Sequence, residues 1–235
     1  MLQLAEDVTT PIFQRSNKDC PSRSMLDRSS VPIGVRPRML STDQNPLLTI
    51  ETEYGQSIWM DNLSRDLLES GELAKLITTR GVLGITSNPA IFEKAIVGNA
   101  IYDPEIIAGI KAGKSLNDIY ESLIFTDICH ACDILLPVYE KTQGIDGYVS
   151  IEVPPMIATD TASTITEARR YHAAINCPNV MIKIPGTPEG LPAAEQMISE
   201  GISINVTLLF SVERDRKSTR LNSSHHRLSR MPSSA

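Results

Sequence analysis

The chain has 235 residues, 41% hydrophobic and 21% charged, which is apolar enough for one large packed domain or two small ones. Its formal net charge of −6 argues against nucleic acid or an anionic membrane as the main partner, while leaving room for a local basic pocket that takes an anionic substrate. No apolar run approaches the roughly 20 residues of a membrane span, no signal-peptide core is visible, and four cysteines do not make a disulfide scaffold.

Residues 1–50 lack periodicity, are rich in Ser, Pro and Arg, and read as a flexible leader. A plastid transit peptide is the sharper alternative, but Glu6, Asp7, Asp19, Asp27 and Asp43 weigh against it, since such peptides are poor in acid. The compartment is read as reducing, with cytoplasm as the default and a plastid open if the source is a plant.

From residue 51 to 214, short apolar runs alternate with amphipathic stretches, the pattern of βα units around a parallel sheet. Strands are expected at Ser57–Asp61, Val82–Thr86, Tyr148–Val153, Val180–Ile184 and Ile202–Phe210. Their near-continuous Ile and Val content suits strands buried on both faces. Helices are expected at Leu63–Thr78, Ser115–Lys141, Thr164–Ile175 and Pro192–Ser199, with Ser115 a good N-cap. Cys129 and Cys132 lie in a Cys-His-Ala-Cys run inside the second of these and are read as half-buried helical thiols rather than a redox pair.

Residues 215–235 carry five basic residues, one acid and six serines without a period. They read as a non-native or disordered tail, resembling translated vector or adapter sequence. On that reading His225 and His226 are neither ligands nor catalysts. A basic tail that binds a partner is the alternative.

Within Asn179-Val-Met-Ile-Lys183-Ile-Pro185 a lysine interrupts an apolar strand. An unpaired buried ammonium is costly, so burial favours the neutral amine, a nucleophile toward carbonyl carbon. The ordinary alternative is a lysine that snorkels or pairs with a carboxylate. Strand period of two then groups the polar residues. Asp61 shares a face with Ser57 and Trp59, and Thr86 shares one with Asn88. Glu152 follows Tyr148 and Ser150, while Asn205 and Thr207 follow Ser203. Each strand thus carries a polar group near its C-terminal end, where parallel barrels and open α/β sheets both place their sites. An amine with carboxylates, hydroxyls and amides suits imine chemistry. Gly186-Thr-Pro-Glu-Gly190 is an ordinary βα turn rather than a nucleotide loop, and no cluster has metal-ligand spacing.

Gly84-Ile-Thr-Ser-Asn-Pro-Ala-Ile-Phe92 resembles the first transaldolase signature, and Asn179-Val-Met-Ile-Lys-Ile-Pro-Gly-Thr187 is similar to the one around the Schiff-base lysine. Gly201-Ile-Ser-Ile-Asn-Val-Thr-Leu-Leu-Phe-Ser211 resembles the strand that follows, and Asp61 and Glu152 complete the order. The resemblance, from about Tyr54 to Arg214, is closest to the long cyanobacterial, actinobacterial and plant transaldolases. It implies a class I aldolase-type (β/α)8 TIM barrel, of which about five of eight βα units are expected in this chain. It also implies roles: Lys183 forms the imine, Asp61 takes the C4 hydroxyl proton, and Glu152 with a water on Thr207 moves protons. Thr86, Asn88 and Asn205 would bind substrate hydroxyls. Sugar phosphates are the implied partners, and no metal or organic cofactor is implied. The family's phosphate-gripping residues come mostly from the part with no counterpart here, so this chain is expected to be inactive or nearly so. A fructose-6-phosphate aldolase-like enzyme and a non-catalytic fragment are the alternatives.

Overall fold

A computed structural model describes residues 45–213 and residue 216. Most of the expected leader, and all of the expected tail apart from Arg216, lie outside the described residues.

Five strands, β1 (Ile58–Asp61), β2 (Val82–Thr86), β3 (Tyr148–Glu152), β4 (Val180–Pro185) and β5 (Ile204–Thr207), form one sheet in the order β1-β2-β3-β4-β5. Every neighbouring pair is parallel. Sequential parallel pairing with helical crossovers is the wall of a (β/α) barrel, here a curled half-barrel whose β1 and β5 edges have no partner strand among the described residues. The fold is therefore the incomplete α/β barrel expected. The strand at Ile204–Thr207 is shorter than the expected Ile202–Phe210, because Leu208 enters left-handed backbone at φ 60° and ends the pairing.

The helices are α1 (Pro46–Tyr54), α2 (Arg65–Glu69), α3 (Glu72–Arg80), α4 (Pro89–Ile96), α5 (Asp103–Lys111), α6 (Leu116–Lys141), α7 (Thr161–Ile175) and α8 (Gly190–Ser199). The single helix expected over Leu63–Thr78 is two helices, because Gly71 takes φ 74° between them and breaks the ladder. Helix α1 straddles the expected leader boundary, capped by the Asn45 side chain and started by Pro46, and buries none of its residues. Helices α4 and α5 were not expected; both begin with a proline in the first turn. Helix α6 opens as expected at Ser115, in a capping box with Asp118. By length and mean hydropathy α6 could cross a membrane, which corrects the expectation that no stretch is so apolar. Here Ile119, Leu123, Ile124, Ile128, Ala131, Cys132 and Leu135 are buried in the protein core.

The two sheet faces differ in chemistry. Ile85, Val149, Ile151, Ile182 and Ile184 are almost completely buried in the layer shared with α6, α7 and α8. Alternate residues turn to the inside of the half-barrel, where Thr86, Ser150, Lys183, Asn205 and Thr207 are all buried. An apolar outer face packs the helices, and a polar inner face is left to hold a ligand.

Candidate active site

The register places the polar residues side by side. Asp61 pairs with Thr86, and Thr86 with Ser150. Glu152 pairs with Lys183, Lys183 with Asn205, and Pro185 with Thr207. Partners in a parallel ladder share a face, so Asp61, Thr86, Glu152, Lys183, Asn205 and Thr207 lie on one surface near the strands' C-terminal ends.

Lys183 is buried in the middle of this surface. Its Nζ donates to the carbonyl oxygen of Ser87 at 3.1 Å and stands 3.8 Å from Glu152 Oε2. Burial holds the amine below the usual lysine pKa, while the Glu152 and Asp61 carboxylates pull it partly back. Burial also pushes the Glu152 carboxyl above the usual range; the Lys183 cation opposes that shift and the Asp61 charge adds to it. A lysine biased toward the free amine beside a carboxyl biased toward the acid is a pair poised to exchange protons.

Ser87 fixes the acceptor. Its own N–H and its Oγ both donate to the Ser150 carbonyl, at 3.1 and 2.9 Å, so the peptide that receives Nζ is tied to β3. Ser150 Oγ donates to Thr86 Oγ1 at 3.1 Å and lies 3.3 Å from Asn205 Nδ2. Three further side-chain atoms on the inner-face strands, Trp59 Nε1, Asn205 Oδ1 and Thr207 Oγ1, are buried without a hydrogen-bond partner. Buried polar atoms are normally paired, so orphans lining one surface are groups that a polar ligand can satisfy.

Asp61 is exposed at the end of β1 and lines a cleft of about 350 Å³ with Asn62, Ser64, Asp66, Ile91, Lys94, Ala95 and Asn99. Lys183 is not among the lining residues of that cleft. Asn88 is half-buried and caps α4, its Oδ1 accepting from the Ile91 N–H at 2.9 Å, The structure therefore gathers Lys183, Glu152, Thr86, Asn205 and Thr207 closely, with Asp61 and Asn88 at the rim.

Ser87, Ser150 and Trp59 were not singled out as site residues. Ser150 and Trp59 carried a signal, being at the period-two positions of their strands. Ser87 carried none, since its role rests on a backbone carbonyl. Gly84 belongs with them: a Cβ there would sit 2.4 Å from Trp59 Cε2, so only glycine admits the indole.

Comparison with known proteins agrees with this geometry. Residues 58–225 match the family described as Transaldolase/Fructose-6-phosphate aldolase. A transaldolase of Trichodesmium erythraeum is 70% identical over 169 residues, covering 72% of this chain and 44% of that protein. A protein named Transaldolase 2 of Nostoc punctiforme is 64% identical over the same extent of each. A transaldolase of Mycobacterium leprae is 46% identical over 179 residues, 76% of this chain and 48% of its own length. The chain thus spans somewhat under half the length of these curated relatives.

Proposed function

The chain belongs to the transaldolase/fructose-6-phosphate aldolase family, and from that premise we propose that the protein it represents transfers a dihydroxyacetone unit between ketose and aldose phosphates through an imine on Lys183. The observation that carries this reading is the buried amine 3.8 Å from a carboxyl on a polar barrel face.

In this reading the neutral Lys183 amine attacks the C2 ketone of fructose 6-phosphate or sedoheptulose 7-phosphate. Glu152, with a water held by the Thr207 hydroxyl, protonates the departing carbinolamine oxygen, and water leaves as the imine forms. Asp61 takes the C4 hydroxyl proton. The C3–C4 bond then breaks, its electron pair moves into the iminium, and an aldose phosphate departs. The dihydroxyacetone enamine stays bound until glyceraldehyde 3-phosphate or erythrose 4-phosphate accepts it; hydrolysis of the new imine frees Lys183. Thr86, Asn88 and Asn205 hold the sugar hydroxyls. The reaction belongs to the pentose phosphate pathway, in the cytoplasm on the default reading.

Since the chain spans under half of its relatives, we assign the complete reaction to a full-length protein and expect little turnover from these residues alone. The test is borohydride trapping of the full-length protein with fructose 6-phosphate, followed by peptide mapping. An adduct on Lys183 supports the assignment; an adduct on another lysine overturns it. The family description also covers a simple aldolase. Product formation from fructose 6-phosphate without an acceptor aldose would favour that second reading.

A further inference from the structure

Outside the amine site, the described residues contain a second group of nucleophiles. Cys129 and Cys132 face one way from α6, three residues apart. Cys177 comes from the turn that follows α7, after Asn176 closes that helix in left-handed backbone. The Cys129 and Cys177 thiols donate to the same oxygen, the Ile175 carbonyl, at 3.6 and 3.4 Å. Cys177 is also within hydrogen-bonding reach of both helical thiols. All three are free, Cys129 and Cys177 half-buried and Cys132 buried.

We propose that Cys129 and Cys177 form a reversible oxidation site, closed by exchange with a small-molecule disulfide. Cys177, on the turn, attacks the disulfide as its thiolate and releases one small thiolate, leaving a mixed disulfide. Cys129 then attacks the Cys177 sulfur as its thiolate and expels the second. Two protein thiols are oxidised and the small disulfide is reduced to two thiols, so the electrons balance. Helical geometry does not let Cys129 bond Cys132, since their side chains stand a turn apart along one face, whereas Cys177 is seated on both. Cys132, almost without solvent contact, is the less accessible partner. Burial and the neighbouring Cys177 thiol push Cys129 up to about 11, and Cys132 higher still, with Asp133 adding its charge, so exchange at neutral pH is slow and the reduced form persists between oxidising episodes. The link would join the middle of α6 to the turn before β4, at the end of that strand away from Lys183. Its effect is therefore on the stability of the half-barrel rather than on the amine.

The experiment treats the full chain carrying Cys20→Ser with oxidised glutathione at neutral pH, then counts thiols and maps disulfide-linked peptides. The same treatment in guanidinium chloride is the comparison. In the unfolded chain the short Cys129–Cys132 loop closes most easily. The native chain is expected to lose two of its three remaining thiols to a Cys129–Cys177 link, restored by dithiothreitol. Cys132→Ser should keep that link and Cys129→Ser should lose it. Unchanged thiol counts, a link to Cys132, an intermolecular link, or the same products in native and unfolded chain would each overturn the proposal.

Discussion

Glu152 and Lys183 are register partners across β3 and β4, and their charged ends stand 3.8 Å apart on the buried face of the sheet. The carboxyl is held above its usual pKa and the amine below it, both chiefly by burial. That sets the direction of the pH dependence. Because the folded state holds the Glu152 proton more tightly than the unfolded chain, stability from this group is full below its ordinary 4.5 and is lost as pH rises through the folded value. Lys183 works the other way: the unfolded chain holds its proton more tightly, so stability increases with pH between the lowered folded value and 10.5. Glu152→Gln should flatten the decline of urea-unfolding stability above pH 4.5; an unchanged slope would show that the carboxyl is not held up.

The same pair predicts a trade between stability and chemistry. The double replacement Glu152→Gln with Lys183→Met removes two partly desolvated charges and should be neutral or stabilising by about 1–4 kcal/mol. Borohydride trapping on the barrel face should vanish in the same variant. Chemical denaturation and peptide mapping read the two halves of this prediction separately.

Ser87→Ala removes the hydroxyl that ties the acceptor of Lys183 Nζ to β3. One buried hydrogen bond is worth about 0.5–1.5 kcal/mol, so the loss of stability should be modest. Trapping at Lys183 in the full-length protein should fall by more than the unfolded fraction accounts for, and Ser87→Thr, which keeps the hydroxyl, should recover it.

Gly84→Ala forces a methyl group into the ring of Trp59. The indole must leave its place, at about 1–3 kcal/mol for an overpacked site. Trp59 is the sole tryptophan, so a shift in native-state fluorescence reports the displacement directly.

Helix α2 is fastened by a buried ion pair. Arg65 Nε donates to Asp127 Oδ1 at 2.8 Å, the Tyr102 hydroxyl donates to Asp127 Oδ2 at 2.8 Å, and Arg65 Nη1 donates to Glu105 at 3.0 Å. Asp127→Ala strands a buried guanidinium and should cost about 3–5 kcal/mol. Asp127→Asn, which can still accept from Arg65, should cost less. Equal losses in the two variants, measured in urea, would mean that packing rather than charge holds this corner.

Side-chain alternation is local, so the strands could be read from their own residues. That put Asp61, Thr86, Glu152, Lys183, Asn205 and Thr207 on one face before any pairing was known, and the register agrees. The same locality made the Ser115 capping box legible. Short helices such as α4 and α5, with few buried residues, lack the repeated apolar positions that reveal a helix. What the chain's own order could not supply was contact between distant residues. Ser87 receives Lys183 from 96 positions away, Asp127 meets Arg65 across 62, and Cys129 shares a carbonyl 46 positions on. Those neighbours exist only once the sheet has chosen its register and the helices their places on it, because a carbonyl or a thiol carries no periodic signal of the partner it will meet.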